Sequence, residues 1–245
     1  MDYLENNLDI NKLDENGYSP LDIALEKEET KKIELLMSKG AKPFKNKDRH
    51  LIAYCKLGDL NIVKYLEANG ANIHTTYQEI RENKKGDNSI APNLTLLDTA
   101  IERSNLEVAR YLQSKNVNIS KNPDTHLLRV CGNGNLNLVT FLVNYCNANV
   151  NAVTALGLSA MDIAILNSKQ DIIEYLITKN VPVYDIDKKR RLFSAIENFE
   201  NDVNFNTKLI TYLIQQGADL KTKKINEKSP IGRLLSKYKF TFLNG

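Results

Sequence analysis

The stretch DENGYSPLDIALEKEETKKIELLMSKGAK, residues 14–42, decides the fold of this chain. Ser19 and Pro20 within it are a helix-capping residue type followed by the residue best tolerated in a first helical turn. A short apolar run at residues 21–25 comes next, enough for about two helical turns. After a break, apolar residues recur at helical spacing until Gly40, where a helix would stop. The stretch therefore predicts two short antiparallel helices.

The same outline returns along almost the whole chain. The first core positions of successive copies are separated by 30, 46, 30, 34, 31 and 39 residues. Neither helix of a copy is long enough to close its own core, so neighbouring copies must cover one another's apolar faces. The first core residues of the copies are Leu21, Leu51, Leu97, Leu127, Met161, Leu192 and Ile231.

These repeats resemble the ankyrin consensus, whose period is about 33 residues. The resemblance implies an all-α fold, an ankyrin-repeat solenoid of stacked helix-turn-helix units joined by short hairpin loops. Ser104 and Ser168 depart from it, since Gly usually separates the two helices there, and Cys146 replaces a terminal Gly. The matching motifs are Ser19-Pro20-Leu21 with Ala24, Thr95 with Leu97 and Ala100, Gly40-Ala41, Gly70-Ala71-Asn72 and Gly217-Ala218-Asp219.

The register predicts a single domain over residues 1–245. A partial repeat, residues 1–13, opens the chain, and a degenerate capping repeat, residues 222–245, closes it. The repeats between them are expected to begin at about residues 14, 44, 90, 120, 154 and 185.

Two insertions interrupt the repeats. Residues 75–93 show no helical apolar period and predict a long loop, which is either tolerated drift or an extra contact element. Residues 200–206 are expected to lengthen the turn between the two helices of one repeat.

Composition excludes several classes of protein. The 33 basic and 30 acidic residues give a net charge of +3, too balanced to predict nucleic-acid binding. The N-terminal segment lacks the order of a signal peptide, and no window reaches the roughly 18 apolar residues of a membrane span. Three widely spaced cysteines suit a reducing compartment. We expect a cytoplasmic protein with no membrane or nucleic-acid partner, monomeric when free, or one acting in a host cell if it is a secreted effector.

The sequence predicts neither an enzyme nor a cofactor site. His50, His74 and His126 do not have the spacing of metal ligands. Gly132-Asn133-Gly134 lacks the preceding strand and the third glycine of a dinucleotide-binding loop. The basic run at residues 188–191 falls on a hairpin tip, where it is expected to be solvated.

In the ankyrin family, partners usually meet the hairpin tips and the exposed side of the inner helices. The resemblance therefore implies a non-catalytic scaffold that binds another protein in this groove. Neutralisation of a cognate enzyme or toxin and action as a secreted effector or adaptor both stay open. Leu156, Leu158 and Leu166 predict an exposed apolar patch, unless one or two of them fold inward. The residues predicted to contact the partner are Tyr18, Glu26, Lys27, Asp48, Lys56, Glu102, Arg103, Asp124, Leu158, Leu166 and Lys189.

Overall fold

The structure, a computed structural model, describes residues 9–78, 80–82, 88–90, 93–120, 122–182 and 203–216. The chain divides into two compact units, Met1–Lys121 and Asn122–Gly245. The first unit contains helices α1 (Pro20–Glu26), α2 (Thr30–Ser38), α3 (Lys47–Leu57), α4 (Leu60–Ala68), α5 (Leu96–Glu102) and α6 (Leu106–Ser114). The second contains α7 (Pro123–Asn133), α8 (Leu136–Tyr145), α9 (Ala160–Leu166), α10 (Gln170–Thr178) and α11 (Val203–Gln215).

Successive helices pack as antiparallel pairs, and like helices of neighbouring pairs pack together. In the first unit, α3 lies against α5 and α4 against α6. In the second, α7 lies against α9 and α8 against α10, which also contacts α11. Leu21, Leu51 and Leu97 are buried, as the repeat register requires. The predicted all-α architecture of stacked helix-turn-helix units is confirmed.

The first, or inner, helices of the pairs are of two kinds. The seven-residue helices α1, α5 and α9 begin with a capping box, in which Ser or Thr and an Asp three residues later satisfy each other's backbone N–H groups. The eleven-residue helices α3 and α7 begin after Asn46 and Asn122 and end at Gly58 and Gly134. The two kinds alternate along the chain.

In the first four helix pairs, an aspartate in the inner helix ties the pair to the segment that follows its outer helix. The buried Asp22 carboxylate accepts the Phe44 N–H at 3.0 Å. Asp48 accepts the Asn72 N–H at 2.7 Å. The same bond recurs from Ser120 to Asp98 at 3.1 Å and from Asn149 to Asp124 at 2.7 Å.

The turn after each described inner helix contains a residue in the left-handed conformation, whether or not that residue is a glycine. Ser104 and Ser168 adopt φ of 63° and 54°, so the missing glycines leave the turn unchanged. Gly58 is needed for a further reason: a Cβ there would lie 2.6 Å from the Asn105 Oδ1. At the end of α8, Cys146 keeps negative φ and Asn147 takes the left-handed conformation.

The first insertion, predicted as a long loop, contains two pairs of short antiparallel strands. Strand β1 (Thr76–Tyr77) pairs antiparallel with β4 (Leu94–Thr95). Strand β2 (Ile80–Glu82) pairs antiparallel with β3 (Asn88–Ile90). Strands of two or three residues are too short to show an alternating apolar pattern, so the sequence does not predict them. We call the four strands β1 to β4 the ribbon.

The second insertion is partly helical, because α11 already begins at Val203. Residues 200–202 and the capping repeat at 222–245 lie outside the described residues, as does most of the partial repeat at 1–13. The single-domain organisation and the repeat boundaries stay predictions.

Candidate functional site

The first unit has one side formed by the inner helices and the segments leading into them, which we call the hairpin side. Tyr18 opens it, held by its own N–H donating to the Asp14 carboxylate at 2.8 Å. The Lys45 Nζ lies 4.7 Å from the centroid of the Tyr18 ring and donates to the Asn16 carbonyl. An ammonium over an exposed aromatic ring gains about 0.5–1 kcal/mol. The lysine side chain is therefore held in one place.

Beside this pair, polar contacts link α1 to α3. The Asn46 Nδ2 donates to the Glu26 carboxylate at 3.3 Å, and the Arg49 guanidinium lies 3.8 Å from it. Both charged side chains are exposed, so the ion pair adds roughly 0–1 kcal/mol to stability. Lys27 is exposed and follows Glu26 at the end of α1.

A second lysine lies on a tyrosine where α3 meets the ribbon. The Lys56 Nζ is 4.9 Å from the centroid of the Tyr77 ring. The Tyr77 and Thr99 hydroxyl oxygens are 3.0 Å apart. Because the Thr99 hydroxyl donates to the Thr95 carbonyl at 2.9 Å, the Tyr77 hydroxyl is the donor in this bond. The ribbon thus supplies a side chain that lies against both α3 and α5.

Two of the predicted contact residues have structural hydrogen bonds. Asp48 and Asp124 are half-buried, and each uses one carboxylate oxygen to accept a backbone N–H, as described above. Glu102 is half-buried at the end of α5, and Arg103 is exposed directly after it. The assignment of these residues to a partner interface stays a prediction.

The second unit carries the three leucines that were predicted to form an apolar patch. Leu156 is 84% exposed and Leu166 is 46% exposed, whereas Leu158 is half-buried. A bridge between Val153 and Ser159 closes the hairpin that carries Leu156 and Leu158. One of the three leucines is therefore partly turned inward. Lys189 lies outside the described residues.

Sequence reasoning did not select Lys45, Arg49 or Tyr77, which the structure brings to the hairpin side. Tyr77 stands in an insertion and therefore has no register position to compare between repeats. A signal was available for the aspartates: Asn-x-Asp-x-His occurs at 46–50 and again at 122–126. That recurrence indicates a structural role for Asp48 and Asp124.

The described residues include the three cysteines of the chain. Burial raises the pKa of the Cys55 and Cys131 thiols to about 12 and that of Cys146 to about 11, so these thiols stay protonated and unreactive at neutral pH. No group of three His, Cys, Asp or Glu side chains in the described ranges could hold a metal ion. No helix among those residues is long and apolar enough to span a membrane.

Comparison with protein families identifies the family of these repeats. A family model described as "Ankyrin repeats (3 copies)" matches residues 97–190 and 127–224. The two matches together span more than half of the 245 residues. The chain belongs to the ankyrin-repeat family.

The ankyrin repeats continue in the structure before the matched residues. The pairs α1–α2 and α3–α4 have the same helix-turn-helix form as the pairs that the family model covers. Ankyrin repeats are protein–protein interaction modules, so the chain is one as well. No curated protein matches it.

Proposed function

We propose that this ankyrin-repeat protein is a non-catalytic scaffold that holds a partner protein against its hairpin side. The observation that carries the proposal is the arrangement of side chains there. The Tyr18 hydroxyl accepts a hydrogen bond from the Asn46 Nδ2 at 3.4 Å, the Tyr77 hydroxyl bonds to Thr99, and each ring lies under a lysine ammonium. Large side chains with few rotamers to lose are the usual anchors of protein interfaces.

The outer helices use comparable side chains for internal support. The Tyr65 hydroxyl donates to the Ala41 carbonyl at 2.7 Å, and the Tyr111 hydroxyl donates to the Glu67 carboxylate. Each of these bonds joins an outer helix to the helix pair before it. Because partners of ankyrin repeats usually meet the hairpin tips and the inner helices, the hairpin side is favoured as the surface offered to a partner.

The non-catalytic role in this proposal is supported by the family, whose members are generally interaction scaffolds. A scaffold of this kind acts by covering a partner's surface or by bringing two proteins together. Neutralisation of a cognate enzyme or toxin is the first of these actions. It would give a stoichiometric complex in which the partner's activity is lost.

Hydrogen exchange measured by mass spectrometry tests the proposal. The probe is the protein that copurifies with the tagged chain from its source cells, added back to the purified chain. We expect slower exchange at the hairpin segments 14–18 and 42–46 and in the ribbon. Helices α2, α4 and α6 should exchange as they do in the free chain. Protection confined to those outer helices would refute the proposal.

A further inference from the structure

We infer that the hairpin at residues 153–159 binds an apolar pocket of the partner, and that this pocket encloses the side chain of Leu156. The inference rests on the proposed function, extends it to the second unit and names the chemistry of the partner's surface. Its basis is a long stretch of sequence with almost no charge and a leucine that protrudes from a fixed hairpin within it.

The stretch of sequence from Val130 to Ser168 is almost free of charge. Its 39 residues contain one charged residue, Asp162, whereas the chain average of 26% would give about ten. The Asp162 side chain is completely buried and accepts the Ser159 N–H and hydroxyl, at 2.8 Å and 2.7 Å. The hairpin and α9 therefore present no formal charge of their own. Recognition through these elements depends on apolar contact, which is favourable in proportion to the area removed from water.

The same hairpin backbone occurs in both units with opposite surface chemistry. Residues 14–18 and residues 154–158 close with the same pair of backbone hydrogen bonds, each at 2.9 Å. The fourth residue of each is a glycine, with φ of 78° and 76°. The third residue is Asn16 in the first unit and Leu156 in the second, and both are exposed. Because the first hairpin forms with an asparagine, the fold does not require a leucine at this place.

Leu156 protrudes from a hairpin that is held in place. It is 84% exposed, so its side chain touches little of its own unit. The bridge between Val153 and Ser159 closes the base of the hairpin, and the Leu158 N–H donates to the Thr154 hydroxyl at 3.1 Å. A backbone ordered before binding lowers the entropy cost of the complex. A flat surface would cover one side of such a leucine, whereas a pocket would cover several, so a pocket matches its shape.

Two further apolar side chains extend the site beyond the tip of the hairpin. Val153 is 48% exposed, and Leu166 is 46% exposed at the end of α9, about 9 Å along the helix axis from Ala160. Three exposed side chains fall far short of the roughly 20 residues that each side of a stable interface contributes. A second copy of this chain packed on this patch alone is therefore not expected. Leu156 is an anchor within a larger interface formed with another protein.

NMR with β-cyclodextrin, a soluble ring with an uncharged apolar cavity, tests whether a pocket can enclose Leu156. We expect the methyl signals of Leu156 to shift when β-cyclodextrin is added to the full-length chain labelled at its leucine methyl groups. The signals of Leu35, which is 42% exposed on the outer helix α2, should shift much less. The variant Leu156→Asn identifies the signals by their loss. Equal shifts at the two leucines, or none at Leu156, would overturn the inference.

Calorimetric titration of the copurified partner into Leu156→Asn tests the site itself. Asparagine is the residue of the first hairpin at this position, so the melting temperature should stay within about 2 °C of the wild type. The partner should bind at least about tenfold more weakly, because its pocket loses a buried leucine side chain. The matched control Leu35→Asn removes the same side chain from an outer helix and should bind like the wild type.

Three further results would overturn the inference. One is equal binding of the partner by Leu156→Asn and by the wild type. Another is a melting temperature far below that of Leu35→Asn, which would show that Leu156 is covered by its own chain. The third is binding to phosphatidylcholine vesicles, or self-association, that is present in the wild type and lost in Leu156→Asn. Either would assign the leucine to a membrane or to a second copy.

The outcome separates this inference from the proposed function. If Leu156→Asn binds the partner normally while hydrogen exchange still maps the partner to the hairpin side of the first unit, the inference is wrong and the proposed function stands. If the partner protects only the outer helices, both are wrong.

Discussion

Asp22 is an ionisable residue with a completely buried side chain. Its carboxylate accepts the Ser19 N–H and hydroxyl, each at 2.8 Å, and the Phe44 N–H at 3.0 Å. Asp22→Asn replaces one of these acceptor oxygens with an N–H₂ group that cannot accept. We expect a loss of about 2 kcal/mol in the free energy of unfolding, measured in urea. The exposed Glu15→Gln should change it by no more than about 0.5 kcal/mol, and equal effects would contradict this account of Asp22.

His50 is buried as well, and burial lowers its pKa from the usual 6.5, although Asp22 and Glu26 oppose the shift. Below pH 6.5 the unfolded chain takes up a proton that the folded chain binds less readily. The contribution of His50 to stability is therefore complete above pH 6.5 and is lost as the pH falls below it. His50→Gln should flatten the decline in unfolding free energy between pH 7.5 and 5.5. The exposed His74→Gln should leave that decline as in the wild type, and an unchanged slope in His50→Gln would exclude the assignment.

At the scale of elements, the junction between α3 and α6 depends on one close contact. The Asn105 Nδ2 donates to the carbonyls of Cys55 and Lys56, each at 2.9 Å, and so caps the end of α3. Gly58 makes this possible, because it has φ of +83° and no Cβ. Gly58→Ala should lower the free energy of unfolding by at least about 2 kcal/mol, because the cost of left-handed backbone strain adds to the cost of displacing Asn105.

Gly40→Ala is the matched control for the cost of placing an alanine in the left-handed backbone conformation. Gly40 has φ of +78°, but nothing lies within 4 Å of an added Cβ. Gly40→Ala should therefore lower the free energy of unfolding only through left-handed backbone strain, by about 1 kcal/mol. Urea titrations should be made of both variants and of Gly58→Ala in an Asn105→Ala background. Together they separate the cost of left-handed backbone strain from the cost of the collision between the added Cβ and Asn105. Equal losses at Gly58 and Gly40 would show that the Asn105 contact contributes nothing.

The elements differ in how far the sequence predicts them. Helix pairs follow from the apolar spacing and from caps such as Ser19, because these signals lie within each helix. The ribbon does not, because its pairing joins residues far apart in sequence through backbone bonds that leave no apolar period. The candidate site was partly predictable for the same reason. Tyr18 and Lys56 stand at positions that can be compared between repeats, so the sequence selects them. The contact of Tyr77 with Thr99 depends on the ribbon, which the sequence does not predict.

At the scale of the whole molecule, we expect a partner to bind the hairpin side of the repeats and not the outer helices. Stacked repeats contact only their neighbours, so surface changes on one side leave the rest of the array intact. Far-UV circular dichroism should show a largely helical spectrum for the wild type and for every surface variant. A spectrum dominated by strands would contradict the ankyrin fold in solution.

The most direct test of the central claim is calorimetric titration of the copurified partner into two multiple variants. The variant Tyr18→Ala, Lys56→Ala, Arg103→Ala removes side chains of the hairpin side. It should bind at least tenfold more weakly, a loss of about 1.4 kcal/mol, with nearly unchanged melting. The pair Lys64→Ala, Arg110→Ala removes exposed charges from the outer helices α4 and α6 and should bind like the wild type. If the triple variant binds normally and the outer pair does not, the partner docks on the outer helices and the account is wrong.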